Sequence, residues 1–100
     1  MKPVKRVEII IGSVIMPVLI RNLSAAGFHQ YTHIRHANGR GSLFDRTADD
    51  VTDVFAVDVL ILAIDSTSLP DLTAAIGPMI ESYGGICLVS DSMILEQSTQ

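Results

Sequence analysis

The 100-residue chain has no tryptophan, five other aromatic residues and one cysteine. The single Cys87 excludes an internal disulfide framework. It lies in the apolar run Gly85-Ile-Cys-Leu-Val89 and reads as a small buried hydrophobe. Cations are missing from over half of the chain, since no Lys or Arg follows Arg46. Acids are scarce before that point, where only Glu8 and Asp45 occur. The first 46 residues carry +5 and the last 54 carry −9, for a net charge of −4. That balance disfavours a general nucleic-acid binder, whose affinity comes largely from clustered cations. A long apolar run is also missing. Ile9–Ile20 is about twelve residues, against roughly 20 for a membrane span. Lys2, Lys5 and Arg6 before that run imitate a signal peptide, but Glu8 adjoins it, Gly12-Ser13 divides it and Arg21-Asn22 follows it. A cytoplasmic protein is expected.

Apolar mass is plentiful. Val, Ile, Leu and Phe make up 33 residues, which excludes intrinsic disorder and supplies one small core. Residues 1–100 therefore read as a single domain, with 96–100 a polar tail. Val4–Ile11 is rich in β-branched residues and reads as a strand. From Val14 to Ala26 the period turns helical, through Ile15, Leu19, Leu23 and Ala26, with Pro17 in the first turn and Gly27 as the cap. Phe28–Ala37 reads as a second strand. Residues 38–53 have no apolar period and read as a long loop. Val54–Ile64 is the clearest strand. Phe55, Val57, Val59, Ile61 and Ala63 share one face, and Asp58, Leu60, Leu62 and Ile64 share the other. Ser66-Thr67-Ser68 supplies N-cap candidates for a helix through Leu72, Ile76 and Met79, which Gly77-Pro78 threatens to kink. Gly84-Gly85 ends it, and Ile86–Leu95 is the last strand.

The order β-α-β-β-α-β is the ferredoxin-like pattern of the α+β class: a four-stranded antiparallel sheet with two helices on one face and a long loop between strands two and three. Leu60, Leu62 and Ile64 are assigned to the face away from the helices, and self-association is expected to bury them.

Four groups of residues offer chemistry. Asn38-Gly39-Arg40-Gly41-Ser42 combines two glycines with a cation, as an anion-binding loop does, and Arg46 could add a second cation. It is neither a Walker loop nor a dinucleotide fingerprint. Tyr83-Gly84-Gly85 reads as a helix cap or as a close backbone approach to a ligand. His29, His33 and His36 would form a metal face on a helix, but on a strand no three-ligand site results, so no metal is expected. The acids Asp45, Asp49, Asp50 and Asp53 lack calcium-loop spacing. No Ser/His/Asp arrangement and no carboxylate pair is legible, so there is no catalytic residue to assign and a non-enzymatic protein is expected.

Together these stretches resemble the PII signal-transduction superfamily, and its PII-like branch associated with carboxysomes and bicarbonate transport. The likeness rests on Ala25-Ala26-Gly27 closing the first helix, Tyr31-Thr32 in strand two, Gly39-Arg40-Gly41-Ser42 opening the loop, Arg46 within it, and Glu81-Ser-Tyr-Gly-Gly-Ile86 before the last strand. The resemblance implies a homotrimer that binds an adenine nucleotide, AMP or ADP, in clefts between subunits. Thr32 would lie near the base or ribose. Gly39, Arg40, Gly41, Ser42 and Arg46 would meet phosphate, and Gly84 and Gly85 of a neighbour would close the cleft. Residues 38–53 would be the T-loop, docking on a regulated membrane transporter or carbon-concentrating protein through Leu43, Phe44, Asp45, Asp49 and Asp50. Bicarbonate is a candidate second ligand. The nitrogen-regulating members carry a Gly-Asp-Gly-Lys stretch before the last strand and arginines near the C-terminus. Here Tyr83-Gly84-Gly85-Ile86-Cys87 and Ser90-Asp91-Ser92 hold no cation, so AMP or ADP is expected to bind better than ATP. The competing reading is a metal-binding trimer of the divalent-cation tolerance type. An acylphosphatase-like enzyme fits less well, because Gly12-Ser13 lacks that family's arginine.

Overall fold

The computed structural model describes residues 1–41 and 54–96. Six elements follow the expected order: β1 (Lys2–Gly12), α1 (Met16–Ala25), β2 (Thr32–Arg40), β3 (Val54–Ile64), α2 (Leu69–Tyr83) and β4 (Ile86–Ile94). The sheet is antiparallel in the order β2-β3-β1-β4, so β1 and β3 are central and β2 and β4 are its edges.

Local chemistry accounts for the helix ends. Pro17 and Pro70 both sit in first turns, where no intrahelical N–H is needed. Gly27, at φ +95°, donates its N–H to the Ser24 carbonyl and releases the chain from α1. Ser66–Ser68 form a short 3-10 turn instead of a side-chain cap; no hydroxyl there caps α2. Pro78 lies inside α2, which runs continuously through it.

Two strand boundaries differ from the sequence reading. Phe28 to Tyr31 are not paired, because Phe28 is drawn against the core as the chain crosses from α1 to the sheet edge. At the other end β2 continues through Asn38, Gly39 and Arg40, which pair with Ala56, Phe55 and Val54. Residues 38–40, expected as loop, are therefore strand.

The assignment of faces is corrected too. Val7, Ile9 and Ile11 of β1 pack with Leu60, Leu62 and Ile64 of β3 beneath Met16, Leu19 and Leu23 of α1 and Leu72, Ile76 and Met79 of α2. Leu60, Leu62 and Ile64 thus lie under the helices and not on the open face. Register explains it: Leu60 pairs with Ile9 and Leu62 with Val7, so both must face the same side as the most buried residues of β1. The open face instead carries Ile10, Ile34, Val59, Ile61, Ile86 and Leu88, with Thr32 and the Arg6–Glu8 ion pair at 2.7 Å among them. Ile34 and Leu88 are 46% and 53% exposed, so this face is still apolar and uncovered in a single chain.

Candidate functional site

The phosphate-loop candidate begins where β2 leaves the sheet. Gly39 is buried in extended pairing, Arg40 is exposed, and Gly41 turns at φ +124°. A Cβ at Gly41 would meet nothing within 4 Å, so the backbone angle, not space, favours glycine there. Only the second glycine therefore uses the left-handed region. Ser42, Leu43, Phe44, Asp45, Arg46, Asp49 and Asp50 lie outside the described residues.

Thr32 sits at the opposite end of β2. It pairs with Ile61 and Gly39 with Phe55, six residues along β3, which is roughly 20 Å. Thr32 lines an open cavity of about 550 Å3 with Val4, Arg6, Gln30, Tyr31 and Ile61. A second cavity of about 290 Å3, lined by Gly27–Gln30, Ala63, Ile64 and Ser68, adjoins it at Gln30 and Ala63. Gly84 and Gly85 are buried beside β1 at the start of β4. They are on the edge away from β2, three strand spacings or ~14 Å across the sheet. The geometry therefore distributes the predicted residues over three places in one chain. Gly39–Gly41 close one end of an edge strand, Thr32 lies at its other end, and Gly84–Gly85 lie on the far edge.

The histidines do not gather. His29 precedes β2 and is exposed, and no cluster of three metal-ligating side chains occurs among the described residues. One constellation went unread in the sequence. Asp58, 5% exposed, is the one buried charged residue among those described. Its Oδ1 accepts from Ser13 Oγ at 2.6 Å and from the His36 backbone N–H at 3.2 Å, and its Oδ2 lies 2.7 Å from His33 Nε2. Burial pushes the Asp58 carboxyl up, but these hydrogen bonds and the charge of His33 outweigh it and hold it below its ordinary value. This is no catalytic triad, since Ser13 and His33 both bond to the carboxylate. The signal that could have found it is the alternation of β3, which puts Asp58 on the face of Leu60 and Leu62, where a charge requires partners. Cys87 is half-buried, and burial raises its thiol pKa, consistent with a packing role. Among the described residues no helix is long and apolar enough to cross a membrane.

No protein-family model matches this chain, and no curated protein matches it in sequence. Solved structures do. CPII, a nitrogen regulatory PII-like protein from Thiomonas intermedia K12 bound to ADP, AMP and bicarbonate, superposes with a TM-score of 0.78 at 22% identity, over 96% of this chain and 97% of that one. A PII-like protein from Thermus thermophilus gives 0.68 at 18% identity, over 94% and 91%. The B. subtilis GlnK–ATP complex gives 0.65 at 15% identity, over 92% and 84%. The fold is that of PII-like proteins.

Proposed function

We propose that this chain, built on the PII-like fold, is a non-enzymatic signalling protein. In this reading it assembles as a trimer and binds AMP or ADP between subunits. It regulates a membrane transporter or another protein of inorganic carbon handling from the cytoplasm, with bicarbonate as a second ligand. The observation that carries the reading is the near end-to-end superposition on CPII, a protein crystallised with ADP, AMP and bicarbonate. Two features of this chain support it. The sheet face opposite the helices is apolar and uncovered, as a self-associating chain requires. Gly39–Gly41 and the cavity around Thr32 lie roughly 20 Å apart on one strand, too far for one mononucleotide to touch both within a chain. A nucleotide held by both groups must therefore lie between chains, its base against Thr32 of one and its phosphates against Gly39, Arg40 and Gly41 of the next. Ser42 and Arg46 would add phosphate contacts, Gly84 and Gly85 would close the cleft, and Leu43, Phe44, Asp45, Asp49 and Asp50 would meet the regulated partner.

The absence of Lys and Arg after position 46 sets the phosphate number. With no cation around Gly84-Gly85 or in β4, a γ-phosphate has fewer partners than in chains that carry them. Calorimetry with AMP, ADP and ATP, with and without bicarbonate, on protein of known solution mass tests the reading. The expected result is a trimer that binds AMP or ADP more tightly than ATP. Tighter ATP binding overturns the argument from missing cations, and a trimer that binds no nucleotide overturns the reading.

A further inference from the structure

The buried carboxylate of Asp58 is bonded by three residues that lie outside its own strand. Ser13 belongs to the turn between β1 and α1, His33 to β2 before its bulge, and His36 to the bulge itself, where the register shifts between Ile34 and Ala37. His36 stands at φ +62°, a region that residues other than glycine occupy only when their surroundings hold them there. The hold is visible: the His36 N–H donates to Asp58 Oδ1. Beyond the bulge the strand runs three residues to Gly39. The bulge thus lies three residues from Gly39, and the Asp58 side chain that bonds it is too deep to touch a ligand.

We propose that Asp58 and His33 are positioning residues for the phosphate-binding end of β2, so that the charge on His33 decides how firmly the bulge is held and how well Gly39–Gly41 meets an anion. This rests on the nucleotide reading above. With His33 protonated, its bond to Asp58 is charge-assisted and roughly twice as strong as the neutral bond that remains at higher pH. On β2 the titratable residues Arg35 and His36 stand at the bulge, and both are exposed. The first turn of α1, Met16–Leu19, brings none, and β1 contributes Ile9 and Ile11. Affinity for a nucleotide is therefore expected to be higher with His33 charged than with it neutral.

The test has two arms. In the first, NMR on the full chain without nucleotide follows the Gly39 and Gly41 amides and the His33 ring from pH 5 to 8.5. Both amides are expected to shift with the ring's midpoint, and to stop doing so in His33→Gln, which keeps a donor to Asp58 but does not titrate. In the second, ADP calorimetry at pH 6 and pH 8 compares the same two proteins. The affinity of the parent is expected to fall about five- to tenfold more than that of the variant, a comparison that cancels the titration of the nucleotide's own phosphate. Asp58→Asn, where it folds, is expected to flatten both responses as His33→Gln does. Glycine amides that ignore a titrating His33 ring overturn the proposal, as does equal pH dependence in parent and variant. If the parent binds no ADP at either pH, the nucleotide reading fails, and the first arm alone still decides whether Asp58 and His33 position Gly39–Gly41.

Discussion

Gly84 and Gly85 are adjacent and both buried, yet they answer to different constraints. Gly84, at φ +81°, ends α2 and donates its N–H to the Ile80 carbonyl at 2.8 Å. Gly85, at φ +119°, lies so close to β1 that a Cβ would come 2.9 Å from the Ile10 carbonyl oxygen and 3.1 Å from Ile11 Cγ1. The pair was legible as a turn; the contact with Ile10 was not, because it joins residues far apart in the chain. Gly85→Ala is expected to lower stability by about 2 kcal/mol or more, read from the denaturant midpoint, since strain and clash combine. Asp58 makes a second residue-scale prediction. Its native carboxyl is held below the ordinary value. Its stabilising effect is therefore complete above the unfolded-state value near 4 and is lost as pH falls through the lower native one. Asp58→Asn is expected to be less stable than the parent at pH 7, with the gap closing below about pH 4 in acid-unfolding scans.

Strand β3 shows at the element scale what alternation reveals and what it leaves open. The two sets of residues on its faces were separable by counting in twos, and both were apolar. Nothing local said which set the helices cover. Pairing decided it, because Leu60 and Leu62 oppose Ile9 and Val7, the buried residues of β1. Leu60→Ala is therefore expected to cost about 2–5 kcal/mol of folding stability in chemical denaturation. Helix α2 shows what burial sustains. Gly77-Pro78 weakens it locally, and the helix runs on as expected from Leu69 to Tyr83, with Leu72, Ile76 and Met79 anchoring it on both sides of the pair. A Cβ at Gly77 would meet nothing within 4 Å. Gly77→Ala is expected to raise stability by about 0.5–1 kcal/mol, because glycine loses more backbone freedom in a helix than alanine does.

At the scale of the whole molecule, the open face of the sheet is what bears on the proposed assembly. Ile61 is half-buried on that face, one position from fully buried Leu60 and pointing the other way. In the proposed trimer the two neighbours do different work. Ile61→Glu is expected to leave the fold intact by circular dichroism while shifting the mass in solution from trimer to monomer, because the association would bury an unpaired charge. ADP binding should be lost with it, since the proposed cleft needs two chains. A variant that stays trimeric counts against this face as the interface.

Composition and periodicity were enough to determine the class of fold, the order of its elements and the poverty of cations after Arg46. These are properties of short windows, in which burial imprints a period of two or of 3.6. Pairing register is a long-range property. It alone decided which face of β3 lies under the helices, why Gly85 must be glycine, and that Ser13, His33 and His36 converge on Asp58. It also separated Thr32 from Gly39–Gly41 along one strand, so residues that read as one list in the sequence lie roughly 20 Å apart in one chain.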